Sequence, residues 1–156
     1  MEIFLFVLIG WLAILWFSIL RARLPLTINL FLFLCNSIFT TSISTLLGLN
    51  LQWVIPSQQP NLFLAHLIHR SMIDPILLLI FMNIYFGSRN ALQRWFGTLA
   101  IFSLMVAIHV ITEMMNIVEY GGHWGWYGDL LKVIMFMLVS FSLKKGFDKL
   151  EGSVAD

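Results

Sequence analysis

From Ile3 to Leu51 only two residues are charged, Arg21 and Arg23, and they divide an otherwise apolar stretch into two uncharged runs, 3–20 and 24–51. A helix crosses the hydrocarbon of a bilayer with about 20 apolar residues, because each residue rises about 1.5 Å and the core is about 30 Å thick. Both runs satisfy that length. The whole chain of 156 residues is 60% hydrophobic and 11% charged, where a soluble domain carries about 25% charged residues. This balance excludes a soluble enzyme, a disordered chain and a nucleic-acid binder, and a net charge of +1 supplies no field to gather polyanions. The single cysteine, Cys35, excludes an internal disulfide and a zinc ribbon, and reads as a small buried apolar side chain.

Three further spans follow. Residues 61–86 carry His66, His69, Arg70 and Asp74; residues 96–120 carry His109, Glu113 and Glu119; residues 129–143 carry Lys132 near their start. Pro56 and Pro60 disfavour helix through 54–64, so this segment is expected along the interface before the chain turns inward near His66. The first run has Glu2 before it and its arginines after it, the reverse of a signal peptide, and reads as a retained helix. Basic residues occupy alternate connections: Arg21 and Arg23, then Arg89 and Arg94, then Lys144, Lys145 and Lys149, while 52–60 and 121–128 have none. Because cytoplasmic loops collect Lys and Arg, the expected fold is an all-α integral membrane protein. It is a five-helix transmembrane bundle with the N-terminus outside and the C-terminus cytoplasmic, and 144–156 form a short cytoplasmic tail. The tryptophans near helix ends fit the headgroup belt.

An ionisable group in hydrocarbon costs at least about 2.5 kcal/mol on insertion scales, so such groups pair and face the bundle interior. His66, Arg70 and Asp74 recur every four residues with His69 beside them, and His109, Glu113, Asn116 and Tyr120 form a second stripe. Asn29, Asn36, Thr40 and Ser44 give the second span a weaker polar edge. Matching depths at about 1.5 Å per residue predicts two cross-helix pairs, Arg70 with Glu113 and Asp74 with His109. Glu119 and Lys132 are expected to make a third near the outer surface. In the loop 119–129, Gly121, Gly122, Gly125 and Gly128 permit tight turns below an aromatic cap of His123, Trp124, Trp126 and Tyr127.

Several functions are compatible with this cluster. As a structural device it fixes helix register in a small accessory or interaction protein of the membrane, such as a subunit, sensor or immunity-type factor. As an active site, with candidates His69, Arg70, Asp74, His109 and Glu113, it acts on a lipid-type substrate from the outer face by acid–base chemistry. As a relay, it moves protons or ions, although inverted repeats and a second set of charges are missing from the sequence. No cofactor is expected. A divalent metal is the one candidate, held by His66, His69, His109 and Glu113, a set with imidazole and carboxylate ligands but no recognised zinc spacing, and with Arg70 beside it to repel a cation. The expected partners are the lipid bilayer and, at the outer face, another membrane protein or a lipid-linked ligand, with no nucleic acid.

Residues from about 60 to 145 resemble a family of small multi-pass membrane proteins of spore-forming Firmicutes without an established function. The resemblance is carried by Ile73-Asp74-Pro75, by Glu113 late in the next helix, by Tyr120 and the HWGWYG loop, and by a final helix with basic residues. It implies an integral protein of the cytoplasmic membrane of a Gram-positive bacterium and supplies no activity.

Overall fold

The third apolar segment is surrounded by all the others. The computed structural model describes residues 2–20, 23–121 and 124–154, the last four by backbone alone, so Arg21, Gly122 and His123 lie outside the described residues. Five helices are seen: α1 (Glu2–Ile19), α2 (Leu26–Asn50), α3 (Pro60–Gly87), α4 (Ala91–Met114) and α5 (Trp126–Val154). Among the described residues, α1 to α4 are each long and apolar enough to cross a membrane. In the most apolar stretch of α3, 67% of residues are buried, against 17%, 22% and 28% for α1, α2 and α4. It packs on α1, α2, α4 and α5, and its run from Ile73 to Asn83 is buried on every side. A helix apolar all round belongs at the centre, and the exposed apolar side chains of α1, such as Phe4, Leu12 and Ile19, form an outward face.

The connections explain where the helices stop. Pro60 occupies the first turn of α3, where its missing N–H costs nothing. The second and fourth helices end by one device, a residue in the left-handed region: Gln52 and Asn116, both with φ 52°. After Asn116 the Ile117 N–H turns back to the Thr112 carbonyl at 2.9 Å, and after Gln52 the Trp53 N–H turns back to the Leu47 carbonyl at 2.9 Å. The fourth helix therefore closes at Met114, six residues short of the expected Tyr120. Each turn feeds a short strand, β1 (Val54–Pro56) and β2 (Val118–Tyr120). The strands pair antiparallel with Val54 opposite Tyr120 and Pro56 opposite Val118. This two-stranded cap, absent from the all-α expectation, places Val54 and Val118 inward and Glu119 outward. Gly121 follows it closely: a Cβ there would lie 2.2 Å from the Gln52 carbonyl oxygen. The last helix is longer than the expected 129–143 and carries the expected tail with it, the Lys144 ammonium meeting Asp148 one turn on.

The end of the bundle away from the cap is held by neutral amides. The Asn83 amide donates to Asn29 Oδ1 at 2.8 Å, while Asn83 Oδ1 accepts the Arg23 and Leu24 N–H groups at 2.9 and 3.1 Å. One side chain on α3 thus pins the turn between α1 and α2. The same end gathers the basic residues: Arg23 donates to the Gly87 carbonyl, Arg94 lies over the Tyr85 ring and Lys144 over the Phe86 ring. Asn83→Ala strands two backbone donors and the Asn29 carbonyl. It is expected to lower unfolding free energy by about 1–3 kcal/mol, read from denaturant titration in detergent micelles.

Candidate functional site

The central helix is irregular where its charges lie. Pro75 sits in its middle with no N–H to give and a ring that clashes with the preceding turn. The chain meets this with a π-helical turn over His69–Ile73, closed by the Asp74 N–H on the His69 carbonyl. Such single turns widen the helix by one residue and recur at functional sites. Here the widening sets His69 and Asp74, five apart, on one side. From α2 the Thr40 hydroxyl lies 2.9 Å from the Arg70 carbonyl and shares its proton between that group and the Asn36 carbonyl at 2.8 Å, so the loosened turn is tied to its neighbour.

A chain of buried polar groups runs from this turn to the cap. Asp74 Oδ1 lies 3.2 Å from His69 Nε2 on the same helix and 3.8 Å from His109 Nε2 on α4. The two rings are 4.6 Å apart, and Phe6 of α1 covers His69. On its other side, His109 Nδ1 is 3.3 Å from the Lys132 ammonium of α5, which pairs at 3.0 Å with Asp129 one turn earlier. The Tyr120 hydroxyl of β2 donates to the other Asp129 oxygen. Burial pushes the Tyr120 hydroxyl well above its ordinary value of 10.0, and the hydrogen bond to Asp129 and the charges of Asp129 and Glu113 act in the same direction.

At the outer end Asp129 has an ammonium 3.0 Å from one oxygen and a phenol on the other. At the inner end Asp74 Oδ1 and His69 Nε2 form an ion-pair contact at 3.2 Å. Asp74 Oδ1, His69 Nε2 and His109 Nε2, like Asp129 Oδ1, are buried and not aligned for a hydrogen bond. Between them and the strands lies a cavity of about 10 Å³, bounded by His66, Arg70, Thr112 and Val118 among others.

The structure redistributes the expected site residues. His69, Asp74 and His109 come together, and His66 and Arg70 line the same cavity. Glu113 does not join them. It is exposed, and no ion pair links it to Arg70; among the described residues Arg70 has no carboxylate partner, and its Nε is buried without one. The reason is angular. The inward face of α4 is Ile101, Met105, Ile108, His109 and Thr112, and at about 100° per residue Glu113 falls past its edge. The metal set His66, His69, His109 and Glu113 is therefore not assembled, and Asp74 supplies the carboxylate beside the imidazoles. The expected Glu119–Lys132 pair is replaced as well. Strand alternation turns Glu119 outward, and Asp129, three residues before Lys132, takes the ammonium. That pair was visible as an i, i+3 spacing at the start of an apolar run.

Comparison with protein-family models, with characterised proteins and with solved structures finds no match. The chemistry must be read from the side chains alone. A carboxylate between two imidazoles can hold a proton or a cation, and the neighbouring ammonium–carboxylate–phenol chain fixes the orientation of His109.

Two outcomes follow from this geometry. Lys132→Met leaves the Asp129 carboxylate buried without its partner and should destabilise by about 3–5 kcal/mol, whereas Asp129→Asn combined with Lys132→Met should cost less than the two singles summed, measured as a double-mutant cycle in micelles. Because the folded-state value of Tyr120 is raised, its contribution is complete below about pH 10 and is lost as pH rises further. Tyrosinate absorbance in alkali should show a late step that coincides with unfolding and disappears in Tyr120→Phe.

Proposed function

We propose that this is a multi-pass protein of the cell membrane, with α5 as a fifth crossing, the stranded cap outside and the C-terminus in the cytoplasm. In this reading it works as an accessory or interaction subunit and not as an enzyme on a lipid-type substrate. The observation that carries this reading is the size of the chamber around the charged groups. At about 10 Å³ it has room for about one water molecule, whereas sites for organic ligands span about 300–1,000 Å³. A headgroup has nowhere to sit beside His69 and His109. A relay is equally poorly served. The charged chain ends at Asp74, and the interior beyond it holds amides and hydroxyls, Asn36 with Ser140 at 2.8 Å and Asn29 with Asn83. The basic residues at the end away from the cap support the orientation. The resemblance of residues 60–145 to small membrane proteins of spore-forming Firmicutes agrees with a Gram-positive cell membrane.

The orientation is tested in Cys35→Ala with a new cysteine at Gln58 or Asn90. An impermeant maleimide added to intact cells should label the first, and the second only after permeabilisation; the reverse pattern overturns the topology. The role is tested by blue-native separation after mild solubilisation, where the chain should migrate with a second membrane protein in fixed ratio. The purified chain should leave phospholipid and prenyl-phosphate vesicles chemically unchanged. Turnover of either lipid, lost in His109→Ala, reverses the reading.

A further inference from the structure

We propose that His69, Asp74 and His109 hold one divalent transition-metal ion of the zinc class through Nε2, Oδ1 and Nε2. Three independent observations converge on these atoms. They lie within 4.8 Å of one another on two different helices. All three are buried and none makes an aligned hydrogen bond, although the imidazole nitrogens approach Asp74 Oδ1 at 3.2 and 3.8 Å, an arrangement that a cation between them would satisfy. The adjoining cavity of about 10 Å³ excludes an organic ligand and admits a bare ion with a single small ligand. Two imidazoles and one carboxylate form a donor set that suits zinc or ferrous iron, with three protein ligands and one position left open.

The charges around the site decide how the ion enters. Asp74, Asp129, Lys132 and Arg70 cancel one another, and the His66 ring borders the same cavity. His109 turns Nδ1 toward the Lys132 ammonium at 3.3 Å and Nε2 toward Asp74. Two positive charges enter with the ion, and a chloride in the open position beside Arg70 offsets one of them. Among the described residues Arg70 has no carboxylate, and this anion gives it a partner. The Asp129–Lys132–Tyr120 chain then orients the ring of a metal ligand from its far side, as hydrogen-bonded groups behind ligating histidines do.

The full chain, purified in micelles and stripped with chelator, is titrated with Co²⁺ and then Zn²⁺. The expected result is a visible Co²⁺ ligand-field band that saturates at one ion per chain and is erased by Zn²⁺. Glu113→Gln should keep the band, while Asp74→Asn, His69→Ala and His109→Ala should lose it with their helix content intact by circular dichroism. A wild-type chain that takes up neither ion overturns the proposal without help from any variant, and so does undiminished uptake by Asp74→Asn. Neither result touches the accessory role, which rests on chamber size, whereas lipid turnover by the zinc-loaded chain would overturn that role and leave the metal site standing.

Discussion

A carboxylate at the centre of an apolar bundle needs company, and the placement of Asp74 on the innermost helix sets the terms for every neighbour. Moving an ion of this size into low dielectric costs several kcal/mol even after relaxation. Imidazoles reach it from its own helix and from α4, and the ammonium of Lys132 stands one ring further away. The His109 and Lys132 contacts require α4 and α5 to pack beside α3, while α1 and α2 cover its remaining sides. The bundle is therefore specified by polarity as much as by shape, which is the expected situation where lipid offers helices no hydrophobic reason to associate.

The two halves of the interior are built in different ways. Towards the cap the buried groups are ionic and arranged in series, so removing one member exposes the charge of the next. Away from the cap they are mainly amides and hydroxyls, Asn29 with Asn83 and Asn36 with Ser140, with the buried Lys144 paired to Asp148 at the end. Neutral hydrogen bonds fix register at modest cost, and each broken one costs about 1–3 kcal/mol. Neutral and ionic contacts are thus separated along the bundle axis. The π-helical turn marks the boundary between the halves, with the Thr40 hydroxyl of α2 bound across it.

Much of this was legible in the residues. Uncharged runs gave the first two spans almost to their ends, and the inward edge of the second, Asn29, Asn36 and Thr40, was visible from spacing and is buried. The proximity of Asp74 to His109 followed from depth alone. Glu113 was misplaced because a four-residue step resembles a shared face, yet its drift of about 40° per step carries a residue at the edge of the face out of it. The cap was hidden for another reason. Strands of three residues leave no alternation to detect, and their positions depend on left-handed conformations at Gln52 and Asn116, residues without the freedom of glycine. Asp129 shows in the sequence only its i, i+3 spacing to Lys132, and its second partner appears only when β2 brings Tyr120 beside it.

The pairing of β1 with β2 joins chain segments on either side of two complete helices. During synthesis, at about 5–20 residues per second, α3 leaves the ribosome seconds before His109, and longer still before Lys132. Asp74 is therefore made with His69 before it and with His109 and Lys132 still to come. Arrival of α5 then completes the surroundings of this charge, because α5 carries both Asp129 and Lys132. A chain truncated before Trp126 would lack the Asp129–Lys132 pair altogether, and with it the groups that α5 sets against the His109 ring and the Tyr120 hydroxyl.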